Sequence, residues 1–191
     1  IISSVEDGSQ ESKFALPSDN PPPKKELKWL EQICSQIKSF GFEYPQRLIY
    51  SFHTSLKCSE WSSIAILSGF SGTGKSELPR LYSASGGIRF LPIAVQPDWD
   101  SPQSLFGHID YLSLAYKPTE LLKAMTQSQR AETDNHGFQD GMLLVLFDEM
   151  NLARVELYFS DLLSKLETRR GSIDPVCLNI DLGPKVKEYP L

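Results

Sequence analysis

"SIAILSGFSGTGKS", residues 63–76, decides the fold. Its first half, Ser63 to Leu67, is a short apolar run that reads as a strand. Its second half holds Gly69, Phe70, Ser71, Gly72, Thr73, Gly74, Lys75 and Ser76, which fit G-x-x-x-x-G-K-[ST] with Gly72 as an additional glycine. Each position has a chemical reason. Phosphate oxygens must approach several backbone N–H groups at once, and a Cβ at the tight positions would obstruct them. A helix predicted from about Lys75 would aim its unpaired N–H groups and positive dipole end at the anion. The Lys75 ammonium would neutralise β- and γ-phosphate charge, and the Ser76 hydroxyl would ligate Mg²⁺. Pro79 falls just past the first turn of that helix, where it costs a hydrogen bond.

Downstream, apolar and amphipathic segments alternate. "IRFLPIAV" (88–95) reads as a strand, "PTELLKAMTQSQR" (118–130) as a helix, and "MLLVLF" (142–147) as a strand apolar on both faces, as in the middle of a parallel sheet. "RVELYFSDLLSKLETR" (154–169) sets Val155, Tyr158, Phe159, Leu162 and Leu166 on one helical face. "PVCLNIDL" (175–182) alternates as a half-exposed strand does, one arm of a hairpin. Upstream, Leu27, Leu30, Ile33, Cys34, Ile37 and Phe40 recur at helical spacing before Gly41, and a second helix opens at Pro45 with Leu48, Ile49, Phe52 and Leu56 on one face. Strand–helix alternation of this kind predicts a three-layer α/β domain with a parallel sheet. The expected organisation is a Ser- and Pro-rich tail or linker over 1–23, a helical segment over 24–58 and a nucleotide-binding core over 59–191.

The strand "LLVLF" ends in Asp148–Glu149, followed by Met150 and Asn151. Carboxylates at the carboxyl edge of a parallel sheet lie where ligands bind in open α/β folds. Asp148 would hold Mg²⁺ through its water shell, and Glu149 would orient and polarise an attacking water. Alone, an apolar run followed by two acids is a common strand ending; the upstream glycine loop gives it meaning. The two together predict a nucleoside-triphosphate site with a water activator, whereas a kinase would need an acceptor pocket that the sequence does not declare.

Composition bounds the function. The chain has 191 residues, 40% of them hydrophobic, which is ample for a core, and the longest apolar run falls far short of a membrane span. Net charge is −5, so a chain that grips DNA chiefly through its phosphates is not indicated, and any DNA contact is expected through other domains. Cys34, Cys58 and Cys177 are odd in number and scattered, as free thiols of a reducing, cytoplasmic compartment are. The chain begins without methionine and stops at "KEYPL", as a piece of a longer protein would.

"GFSGTGKS", "VQPDWDSPQSLFGHID" (95–110) and "FDEMNLARVELYFSDLLSKLE" (147–167) together resemble the AAA+ domain of McrB-type proteins, the GTP-dependent motor subunits of methylcytosine-directed restriction systems near the MoxR and dynein-related branch. The similarity covers roughly residues 45 to 183; the two Walker motifs are general to AAA+ proteins, and the other stretches are narrower. The resemblance implies that Gly69 to Ser76 are the phosphate loop, Asp148 the metal residue, Glu149 the catalytic glutamate and Asn151 a polar group near the nucleotide and subunit boundary. It implies Mg²⁺ with ATP or GTP, a hexamer-type homo-oligomeric ring, a nuclease partner subunit and no membrane. It also implies a sensor strand, an arginine finger and a helical lid that lie beyond Leu191, so that hydrolysis by these residues alone is expected to be weak. A protein-remodelling ATPase of the MoxR kind and a nucleotide-binding assembly switch with little turnover stay open beside the restriction motor.

Lesser signals read blandly. Trp99–Asp100 reads as a packed turn, and His53, His108 and His136 share no metal spacing. Lys123, Arg130, Arg154, Arg169 and Arg170 read as exposed helix residues. The segment 129–141 is polar enough to be an insertion, and "PPPKKELK" (21–28) is a linker-to-helix junction.

Overall fold

A computed structural model of the chain describes residues 26–58, 64–113, 115–131, 137–139, 141–169, 176–181 and 186–190. Along the chain these form α1 (Glu26–Ser39), α2 (Gln46–Lys57), α3 (Glu77–Gly86), β1 (Arg89–Ala94), α4 (Pro102–Phe106), β2 (Gly107–Asp110), β3 (Ala115–Pro118), α5 (Glu120–Ser128), β4 (Leu143–Asp148), a 3-10 turn (Met150–Leu152), α6 (Val155–Tyr158), α7 (Ser160–Thr168), β5 (Cys177–Asp181) and β6 (Val186–Pro190). The fold is mixed α/β. The tail expected over 1–23, Arg170, His136 and residues 182–185 lie outside the described residues.

The chain divides into two compact units, one of Phe14–Pro92 with Gly141–Leu146, the other of Ile1–Lys13, Ile93–Asp140 and Phe147–Leu191. The first is a helical cluster. Leu30, Ile33 and Ile37 of α1, Ile49 and Phe52 of α2, and Leu78, Leu81 and Tyr82 of α3 form one buried core. The expected apolar faces of α1 and α2 are therefore present, except that Leu27, Phe40 and Leu48 are exposed near the helix ends, where the neighbouring helix no longer covers them. A polar clasp crosses the same three helices. His53 is 8% exposed; its Nδ1 lies 2.6 Å from the Tyr82 hydroxyl and its Nε2 2.6 Å from Glu26 Oε1. Lys57 Nζ donates to both Glu26 oxygens at 2.8 Å. The Lys57 bonds, and then the His53 bond, hold the Glu26 carboxyl below its usual range.

The run ahead of the glycine loop departs from expectation. No sheet of the described structure includes residues 64–67. Ala65 and Leu67 pack against the helical core while Ile66 between them is 86% exposed. The backbone is thus turned alternately, as in a strand. Among the described residues β4 is not a central strand: it pairs with β1 in a two-stranded sheet, and each of its residues is half-buried. Arg89 N–H donates to the Met142 carbonyl and Val95 N–H to that of Asp148, both at 3.1 Å. The two strands advance together between these bonds, so they run parallel. In a regular strand alternate residues face opposite edges, which turns Pro92 away from β4; its missing N–H breaks no bond to β4 and blunts the outer edge of β1.

In the second unit, β2 and β3 pair antiparallel from Gly107↔Pro118 to Asp110↔Ala115, a hairpin the sequence reading did not include. Gly107 is required there: its φ is +128°, and a Cβ would run into the Lys117 carbonyl. Thr119 caps α5 by accepting from Leu122 N–H at 3.3 Å, while its own hydroxyl donates to the Leu105 carbonyl at 2.7 Å. The helix expected over 154–169 is broken into α6 and α7 at Phe159, yet its inward face is as read, with Tyr158, Phe159 and Leu162 buried. Trp99 meets Tyr158 edge-on at 5.2 Å, the packed turn expected of it. β5 pairs antiparallel with β6, with Leu178 and Ile180 buried, so "CLNID" is one arm of a β-ladder as its alternation suggested. Phe138 is 2% exposed and anchors its segment through N–H to the Gln127 carbonyl at 3.1 Å.

Candidate functional site

The glycine loop lies wholly in the first unit. Gly69, Gly72 and Gly74 have φ of +151°, +79° and +80°, conformations that residues with a Cβ rarely adopt. A Cβ on Gly69 would stand 3.7 Å from Thr73 Oγ1 and 3.9 Å from Lys75 Cδ, in the space the loop encircles. The Phe70 carbonyl accepts from Thr73 Oγ1 at 2.9 Å and from Lys75 Nζ at 2.6 Å. The lysine side chain is therefore folded back over its own loop, its ammonium held at the loop's main chain. Phe70 itself is 89% exposed.

The loop runs into α3, though not as early as expected. Leu78 N–H donates to the Gly74 carbonyl at 3.0 Å in helical fashion. Pro79 then has no N–H to give the Lys75 carbonyl, so regular helix starts at Glu77 rather than at Lys75. Ser76 already has helical φ and ψ of −74° and −27°. A residue that sequence reasoning missed completes the loop: Tyr44, between α1 and α2, donates its hydroxyl to the Gly74 carbonyl at 2.9 Å. Its ring lies parallel to that of Phe42, with centroids 6.4 Å apart, and both pack on the helical core. Burial, and then the charge of Glu77, hold the Tyr44 hydroxyl above its usual pKa, so it remains a donor across the neutral range. Only its aromatic character could have drawn attention, since the contact spans 30 positions.

The acidic pair lies in the second unit. Asp148 ends β4 and is half-buried; Glu149 follows and is exposed. Glu149 has φ 53° and ψ 44°, the one non-glycine residue with positive φ among the described residues. Left-handed backbone at a residue with a side chain costs free energy and clusters at functional positions. The chain turns there sharply: Glu149 N–H donates to Asp148 Oδ1 at 3.1 Å, and the Glu149 carbonyl accepts from Leu152 N–H at 2.9 Å. Asn151 sits exposed in the 3-10 turn, which Tyr158 steadies by donating to the Met150 carbonyl at 3.3 Å. Arg154 and Arg169 are exposed, as read.

No group of three or more His, Cys, Asp or Glu side chains that could hold a metal occurs among the described residues. A magnesium–triphosphate needs no such cage, because phosphate oxygens and water fill most of its octahedron and one or two protein oxygens suffice. The loop fits the phosphate part of that group: positive-φ glycines, space where Gly69 lacks a Cβ, and a lysine folded inward. No described helix is long and apolar enough to cross a membrane. Comparison with protein-family models, with curated proteins and with solved structures gave no match in any of the three.

Proposed function

We propose that the chain is a nucleoside-triphosphate-binding and -hydrolysing module with a P-loop core of the AAA+ kind. The observation that carries this reading is the glycine loop, in which three positive-φ glycines bend the main chain and Lys75 folds its ammonium back over it, as a polyphosphate cradle would need. Phosphate oxygens would take the Lys75 ammonium from the neutral Phe70 carbonyl, because an anionic acceptor adds a full charge–charge attraction to the bond. Ser76 would be an oxygen donor for Mg²⁺, as would Asp148, each through its own hydroxyl or carboxylate, and the metal would neutralise charge on the β- and γ-phosphates. Glu149 orients and polarises water, its exposed carboxylate and strained backbone suiting a residue held for chemistry rather than packing. Asn151 lies beside it in sequence as a polar group for the nucleotide or a neighbouring subunit. The resemblance of the three quoted stretches to McrB-type proteins supports a narrower role: a cytoplasmic ring-forming motor for modification-dependent DNA restriction, working with a nuclease subunit on ATP or GTP. A MoxR-like remodelling role would use the same residues.

The test is binding and turnover by the whole chain. Magnesium with ATP or GTP at 100 times its Kd should stabilise the fold by about 2.7 kcal/mol, and Lys75→Ala should abolish that gain. Glu149→Gln should keep the thermal shift and lose phosphate release. Equal melting temperatures with and without either nucleotide would sink the reading; binding with no release even by the assembled ring would leave an assembly switch.

A further inference from the structure

We propose that Tyr44 is a positioning residue of the phosphate loop, acting through one peptide group. The inference rests on the reading of Gly69–Ser76 as a polyphosphate site. The Tyr44 hydroxyl and Leu78 N–H, at 2.9 and 3.0 Å, occupy both lone pairs of the Gly74 carbonyl. That carbonyl and the Lys75 N–H belong to one planar trans peptide, so they point in opposite directions. Fixing the carbonyl towards Tyr44 therefore fixes the Lys75 N–H on the far side, away from the helical segment.

The hold is needed because of Pro79. The carbonyl next along, that of Lys75, receives no helical N–H, so the first turn of α3 lacks one of the bonds that would set its peptide planes. Tyr44 substitutes a bond from outside the helix. Its own direction is fixed by the parallel Phe42 ring and by packing on the helical core. The position of Gly74 is matched to it: a Cβ there would stand 2.5 Å from the Tyr44 oxygen. Tyr44 makes no claim on the nucleotide itself; it orients a donor that does.

Tyr44→Phe in the full chain keeps the ring and deletes the hydroxyl, and inorganic tripolyphosphate with Mg²⁺ probes the loop without a base or ribose. Calorimetry should show affinity weakened about three- to tenfold, the range of one neutral hydrogen bond. The Lys75 amide resonance should move less on titration in Tyr44→Phe than in the unsubstituted chain. Phe138→Leu, which thins the packing of the other unit and leaves Tyr44 and its neighbours untouched, should lower the melting temperature and leave affinity intact. Unchanged affinity and amide response in Tyr44→Phe, or an equal loss of affinity in Phe138→Leu, would overturn the positioning role while the loop's function stands. No tripolyphosphate binding by the unsubstituted chain would overturn the reading of the loop, and the inference with it.

Discussion

Gly72 and Gly74 have nearly the same φ, +79° and +80°, but different surroundings. A Cβ on Gly72 meets nothing within 4 Å, whereas one on Gly74 meets Tyr44 Oη at 2.5 Å and two carbons of the same ring at 3.2 and 3.3 Å. Gly72→Ala should therefore cost only the left-handed conformation, about 1–2 kcal/mol. Gly74→Ala adds displacement of a ring stacked and packed in place, for a total of about 2–4 kcal/mol by the usual overpacking penalty. Urea unfolding of the two variants measures the difference; equal losses would show that Tyr44 yields freely. The left-handed backbone of these glycines was legible in the sequence because the geometry of a glycine loop is local. Tyr44 was not, because its contact is set by how α1 and α2 pack, and no spacing rule connects positions 44 and 74. The strain at Glu149 was equally hidden: an acid after a strand does not disclose the sign of its φ.

At the scale of elements, periodicity served where one face of a helix meets a core, and α1, α2, α5 and the face shared by α6 and α7 follow it. It failed where pairing decides. Residues 64–67 alternate as a strand does, but alternation reports which side chains turn inward and says nothing about a partner edge. The β2–β3 hairpin was missed for the opposite reason: its strands are four residues each and carry too little alternation to register. An ion pair holds that hairpin, Lys117 Nζ to Asp110 Oδ2 at 2.7 Å, and Leu112 N–H donates to Asp110 Oδ1 at 3.0 Å. The Lys117 bond, then those from Leu112 and Ser113, hold the Asp110 carboxyl well below the usual carboxylate range. A carboxyl depressed in the folded state contributes stability above its unfolded pKa and loses it as pH falls. The stabilisation is thus whole above about pH 5 and declines below about pH 4. Asp110→Asn should unfold more easily at neutrality, and the gap from the parent chain should close on acidification. A gap that stays constant from pH 7 to pH 3 in urea midpoints would remove the ion pair from the hairpin's stability.

The division into two units was not visible in the sequence, because two of its boundaries fall inside strands. β1 passes from one unit to the other between Pro92 and Ile93, and β4 between Leu146 and Phe147. Composition shifts mark exposed connections, and an apolar strand shows none. This has a consequence for unfolding. Loss of either unit would tear both β1 and β4, so the two units should melt in a single transition even though the first has a buried core of its own. Trp29 in the first unit touches His53 and Tyr82, with ring centroids at 5.5 and 5.7 Å; Trp99 in the second touches Tyr158. Variants that keep Trp29 or Trp99 as the sole tryptophan, with Trp61 also replaced, report each unit by fluorescence. Their urea midpoints should coincide, and magnesium–triphosphate bound at the loop of the first unit should raise both equally, because a ligand stabilises whatever unfolds together with its site. A rise seen by Trp29 alone would mean that β1 and β4 can part in mid-strand.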